Sequence, residues 1–284
     1  MLMQRTIIIL LAVTALVIST VAHAETAVES FAEGEKLLAK GEFDAALQSF
    51  LTAARTDKGN QEYTQRYAIV RRIVDLRHRL DVEKKQQQWE YIARAIRAFY
   101  VNERIYTELL KLDQAIHQRL NTAESAAMLA ETQLAMDQNA SVVQTLSALE
   151  SGKATATTQL LLGIAMVRTG KSDEARQLAE KISLPKDAGP SVIYMAARFR
   201  AVIEDSAKAM ELLKACFEAT LPSQLDGFKS HAKTCPEFAA IVSTPEFADV
   251  MKTASKVPES KCSGGSSCAG CPMRGKCPKS QGKQ

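Results

Sequence analysis

Apolar residues are distributed along this chain in three ways, and each predicts a different kind of segment. Residues 6 to 24, TIIILLAVTALVISTVAHA, are apolar almost without a break. From Phe31 to Met251 apolar positions recur every three to four residues, which predicts one helix after another. From Lys256 onward Pro, Gly, Ser and Lys dominate and the periodicity vanishes, so this stretch is a tail rather than a domain. Within the helical region small and large residues alternate in a fixed order: Gly34, Leu37, Gly41, Phe43, Ala46, Phe50, Ala53. The order returns in LLLGIAMVRTGKSDEARQLAEKI with Gly163, Gly170 and Ala175, and in YMAARFRAVIEDSAKAMELLKACFEA with Ala197, Ala209, Leu213 and Cys216. A weaker copy precedes them in MLAETQLAMDQNASVVQTLSAL, with Ala130 and Val142.

The interval from Gly163 to Ala197 equals that from Ala175 to Ala209, and both match the tetratricopeptide repeat period of about 34 residues. The chain resembles that family at the residues just quoted. Its small positions, here Gly34, Ala46, Gly163, Ala175, Ala197 and Ala209, let the two helices of a hairpin pack closely while larger apolar residues fill the space between. The resemblance implies an all-α fold over residues 25–257, a right-handed α-solenoid of hairpins resembling tetratricopeptide repeats.

The interval from Ala46 to Ala175 is no whole multiple of that period, so the register slips between them. The slip is placed in Gln61 to Leu120, which holds no Pro or Gly and keeps Tyr67, Val70, Ile73, Leu76 and Leu80 at helical spacing. Longer helices are expected there, with a hairpin centred near Val101 to Glu103. Trp89, Tyr91, Phe99 and Tyr100 read as core before they read as a ligand surface. CPEFAAIV and TPEFADVM are near copies, each a cap candidate followed by Pro and Glu. They resemble the short helices that close such a stack and cover its apolar end.

The apolar start ends on Ala22-His23-Ala24, a pattern that signal peptidase accepts, so residues 1–24 are expected to be a signal peptide. The mature chain is then periplasmic or secreted. No later segment is apolar for long enough to span a bilayer, so no stable membrane insertion is expected after cleavage. The 284 residues carry a net charge of +4, unevenly placed: from Lys252 seven basic residues face the single acid Glu259. This basic tail, residues 258–284, has no aromatic residue on which a base would stack, and nucleic acid is not an expected partner.

Catalytic patterns are scarce. GIAMVRTGKS has six residues between its glycines where a phosphate loop needs four, and Gly170 reads as an interhelical turn. His78, His117 and His231 find no third ligand nearby, although His78 has Asp75 and Asp81, and His231 has Cys235, at helical spacing. No Gly-x-Ser-x-Gly elbow occurs. The expectation is a non-enzymatic scaffold that binds a protein or peptide in its groove.

Six cysteines remain. Cys216 and Cys235, separated by a turn-rich stretch, could pair in an oxidising compartment. Otherwise Cys216 is a small buried residue and Cys235, at a helix start, a thiol of lowered pKa. Cys262, Cys268, Cys271 and Cys277 form C-x5-C-x2-C-x5-C. CAGCPMRGKC resembles the cluster-binding motif of iron–sulfur scaffold ATPases of the Mrp type, which implies a geometry suited to a cluster. Three readings stay open: four thiolates on zinc or an iron–sulfur cluster, two disulfides, or a redox pair at Cys268 and Cys271. The alternative to a scaffold is a metal-trafficking or thiol redox factor, whose repeats dock a client while this tail delivers an ion, a cluster or an electron pair.

Overall fold

A computed structural model describes residues 26–150 and 152–258. Among them the chain is all-α, in two compact units divided between Leu149 and Glu150. The first unit holds the helix at residues 26–39 (α1) and then Phe43–Thr56 (α2), Gln61–Val82 (α3), Gln86–Glu103 (α4), Tyr106–Leu120 (α5), Ala123–Ala135 (α6) and Asn139–Ser147 (α7). The second holds Ala156–Arg168 (α8), Ser172–Lys181 (α9), Pro190–Val202 (α10), Ser206–Ala219 (α11), Pro222–Thr234 (α12), a 3-10 turn at Pro236–Phe238, and Pro245–Val250 (α13). Within each unit most helices pack on the next in chain order, and α8 packs on α10 as well as on α9.

One turn recurs five times among the described residues. Gly41, Arg104, Asp137, Gly170 and Glu204 all have positive φ, and each follows the first helix of a hairpin. The next amide bonds the carbonyl five residues back in every case: Glu42 to Leu37 (3.0 Å), Ile105 to Tyr100 (2.9 Å), Gln138 to Gln133 (2.8 Å), Lys171 to Met166 (2.8 Å) and Asp205 to Arg200 (2.9 Å). This is the Schellman end of a helix, which satisfies carbonyls that have lost their helical partners. The last four turns are evenly spaced at close to one repeat period, but the interval from Gly41 to Arg104 is nearly twice as long. The excess is α3, a single helix of 22 residues with no hairpin mate, joined by short links to α2 and α4. The slip expected in Gln61 to Leu120 is therefore one lone helix, and the turn expected at Val101 to Glu103 falls at Arg104 and Ile105.

Small residues mark the close approaches. Gly34 is buried against the Phe50 ring, where a Cβ would lie 2.7 Å from Cε1. Gly163 on α8 faces Phe199 on α10, where a Cβ would stand 2.3 Å from the ring. Ala46, Ala175, Ala197 and Ala209 are all fully buried. In the first unit Trp89 and Tyr100 are core and Tyr91 is exposed.

Charged residues tie that unit together as well. Arg66 on α3 binds Glu35 on α1 at 2.7 Å and Glu103 on α4 at 2.8 Å. Buried Asp113 on α5 accepts from Arg97 on α4 (2.8 Å) and from Thr132 on α6 (2.6 Å). Arg66 and Asp113 thus join helices that apolar packing alone would leave free to slide, and buried charge is tolerated because it is paired.

The two Pro-Glu-Phe copies fold differently. Thr244 caps its helix, accepting from the Phe247 amide at 3.2 Å. Cys235 makes no side-chain cap, and the first copy forms only the 3-10 turn. Phe238 and Phe247 nevertheless both enter the second unit's core, their ring centres 6.2 Å apart.

Arg104 is exposed and holds left-handed backbone at φ 56° without a glycine's freedom. Arg104→Gly is expected to raise stability to urea by about 0.5–1 kcal/mol, whereas Gly170→Ala, at φ 81° with open space around its Cβ, lowers it by a similar amount. Opposite signs in one unfolding series check the turn assignment.

Candidate functional site

Helices α10 and α12 start alike, each with Pro at its first position, where a missing amide proton leaves no helical bond unmade. Along each helix the same spacing then recurs. Ser191, Tyr194, Met195 and Arg198 fall on one face of α10, and Gln224, Gly227, Phe228 and His231 on one face of α12. Each residue of the second set follows its counterpart in the first at one constant interval, so a single repeat period separates the two walls. Between them opens a groove of about 630 Å³. Tyr194, Met195 and Phe228 give it an apolar floor, and Tyr194 meets Phe228 edge to face with ring centres 5.2 Å apart.

The second unit has another hollow, of about 320 Å³, beside Arg200 and Lys208, and the first unit has one of about 200 Å³. The latter is lined by Arg77, Asp81, Glu108 and Lys111, whose charges oppose one another. The α10–α12 groove differs in having one full charge, Arg198, and no acidic residue on its walls.

A buried polar cluster lies under that charge. Glu237, two residues after Cys235, has a side chain only 1% exposed. Its Oε1 accepts from Arg168 on α8 and from Arg198 on α10, both at 2.7 Å. Its Oε2 accepts from the Cys235 thiol at 2.8 Å. Burial alone would raise the Glu237 pKa, but the Arg198 charge and the hydrogen bonds outweigh it and hold the value at about 2. Beside the cluster the Tyr194 hydroxyl and His231 Nδ1 share a hydrogen bond of 2.7 Å. Burial, then the neighbouring Cys235, pushes the Tyr194 phenol well above its ordinary value, so it stays protonated.

Of the two alternatives for Cys216 and Cys235, the disulfide is not formed. Both residues are free and buried, and each sulfur has found another partner. Cys216 Sγ lies 3.3 Å from the Pro190 carbonyl and 3.8 Å from Thr220 Oγ1, and Cys235 points its proton at Glu237. Nor is Cys235 a thiol of lowered pKa. Burial first, then the Glu237 carboxylate, pushes it up to about 12, because a thiolate there would be desolvated beside a negative charge. Burial pushes Cys216 up to about 11.

His78 is exposed, 4.0 Å from Asp44, and His117 bonds Ser125 Oγ at 3.1 Å with its pKa lowered by burial. Among the described residues no three His, Cys, Asp or Glu side chains group as a metal site. Cys262, Cys268, Cys271 and Cys277 lie outside the described residues, as does the segment 1–24 expected to be a signal peptide.

Sequence reading missed the groove because the stretch around α12 reads as a turn-rich link to the closing helices and not as the next first helix of the series. The signal was present in the two proline starts, Pro190 and Pro222, and in the constant offset from Ser191, Tyr194, Met195 and Arg198 to Gln224, Gly227, Phe228 and His231. The Arg–Glu cluster had no local signal, since its members are 39 and 69 residues apart.

Glu237 titrates lower in the folded chain than its ordinary 4.5, so its stabilisation is complete above about pH 4.5 and is lost as pH falls toward 2. Glu237→Gln is expected to cost about 3 kcal/mol at pH 7 and to flatten the loss of stability between pH 4.5 and 2, read by urea unfolding across that range. Separately, Cys216 and Cys235 should resist a thiol-specific reagent at pH 8 in the native chain and react at once in denaturant. Rapid native labelling at either residue would refute their burial.

No protein-family model matches the sequence, and a search of curated proteins finds no match.

Proposed function

We propose that the mature chain is an exported, non-enzymatic scaffold of the tetratricopeptide-repeat type that holds a protein or peptide partner in the α10–α12 groove. The observation that supports this reading is the groove's construction. Ser191 and Arg198 stand two helical turns apart on α10, about 10 Å at roughly 1.5 Å per residue, which matches about three residues of extended peptide. Its volume and apolar floor suit one or two large side chains, with Ser191, Gln224 and His231 as polar groups that set register. The cluster beneath it is chemically quiet: the Cys235 proton rests against Glu237, and a thiol with a pKa of about 12 supplies almost no nucleophile at neutral pH. A rival reading places the activity in the tail, whose thiols would carry an ion, a cluster or an electron pair. The groove would then dock the client.

Gly227 offers a clean test. Apart from its chain neighbours and its own helix backbone, nothing lies within 4 Å of where its Cβ would be, and its backbone is ordinary helix, so a side chain there fills the groove without straining the fold. Gly227→Leu should raise stability by up to about 1 kcal/mol through helix propensity. It should also abolish capture of peptides that a random display library selects on the purified chain. Selected peptides that bind the variant and the native chain equally would sink the groove as the binding site.

A further inference from the structure

Arg198 is under-used by its own protein. Of its three side-chain nitrogens, Nη2 bonds Glu237. Nε is buried without any partner, and among the described residues Nη1 makes no hydrogen bond. A buried donor left unmatched is costly, and native proteins keep few of them. The guanidinium is nonetheless held firmly: its side chain is 20% exposed, and it shares its carboxylate with Arg168. It is also the single full charge on the walls of the groove, which carry no acidic residue. An apolar trough ending in one fixed, incompletely satisfied cation is complementary to a ligand with an apolar part and one anionic group.

We infer that the segment taken by the groove is an acidic one, an internal Asp or Glu side chain meeting Arg198 while a large apolar residue nearby lies on Tyr194, Met195 and Phe228. This deepens the peptide-binding reading and rests on it. The spacing follows from α10. Tyr194 and Met195 precede Arg198 by one helical turn, about 5–6 Å along the helix. On an extended peptide the nearest residues on one face are i and i+2, separated by about 7 Å. The two anchors therefore stand two positions apart. A side-chain carboxylate fits better than a chain terminus. Arg198 lies in the interior of α10, where backbone amides are spent on helical bonds, so the site offers no backbone nest of the kind that captures terminal carboxylates.

The test starts from peptides selected on the purified native chain from a random library flanked by fixed residues. Those blocked by Gly227→Leu are synthesised with acetylated and amidated ends, each alongside its Glu→Gln or Asp→Asn isostere. Binding is followed by fluorescence anisotropy to the native chain, Arg198→Gln and Arg198→Lys. The expected result is an acid two positions from an aromatic, Leu or Met. The amide isostere should weaken binding to the native chain about ten- to a hundredfold, and this penalty should shrink several-fold in Arg198→Gln. Arg198→Lys keeps a charge for Glu237 and guards against a folding defect, and it should give an intermediate penalty. Groove-blocked peptides with no acid, or isosteres that bind equally well, would overturn the inference and leave the groove reading standing. Binding that disappears on amidating the C-terminus would overturn it in favour of a terminal carboxylate. If no selected peptide responds to Gly227→Leu, the groove reading itself fails.

Discussion

In the second unit the closest approach of two helices is made where one of them withholds a side chain, at Gly163. The Phe199 ring occupies the volume where a Cβ would be, so α8 and α10 pack at a distance no larger residue permits. That approach brings Arg168 and Arg198, one on each helix, onto the same oxygen of Glu237. Glu237 in turn fixes the turn after α12, whose own residues form the second wall of the groove. Removing the small residue would disturb packing locally and would also displace a charge some way along the helix.

Buried charge in this chain serves position more than net stability. Isolated, the Arg168–Glu237–Arg198 group would give back in desolvation much of what it gains in attraction. Its value is that it points one guanidinium into an apolar trough and holds it there. The first unit uses the same device away from its described hollow: Arg66 and Asp113 each join three helices, and their donors and acceptors are engaged by protein. The contrast is between an arginine whose donors are all engaged and one that keeps a buried donor unmatched.

Helical periodicity and the repeat recurrence were legible in the sequence because they depend on local spacing and on small residues at fixed places, such as Gly163 and Ala197. Gly170 announced its turn, and Gly41 stood in the repeat pattern at the place of another. Arg104, Asp137 and Glu204 did not, since nothing in their side chains demands left-handed backbone, which goes instead with the hydrogen bond that closes each helix. The lone helix α3 was visible only as a broken count, because its following link at Glu83–Lys85 lacks the prolines and glycines that usually mark a boundary. Cys235 was misjudged for a related reason. Sequence places it at a helix start, but the turn that follows is a single 3-10 turn and its thiol meets a carboxylate, and both facts belong to the folded chain.

The burial of two thiols has a consequence for how the chain matures. Six cysteines can join into three bridges in 15 ways, but four can join into two bridges in only three. Once the second unit folds, Cys216 and Cys235 are withdrawn from exchange, both by enclosure and because their thiolates are suppressed. Wherever the chain meets an oxidant, the order of events then matters. Folding ahead of oxidation leaves the tail thiols to pair or to take a metal among themselves, whereas oxidation ahead of folding can strand a core sulfur in a bond to the tail. The core thus edits the chemistry of a segment it need not touch.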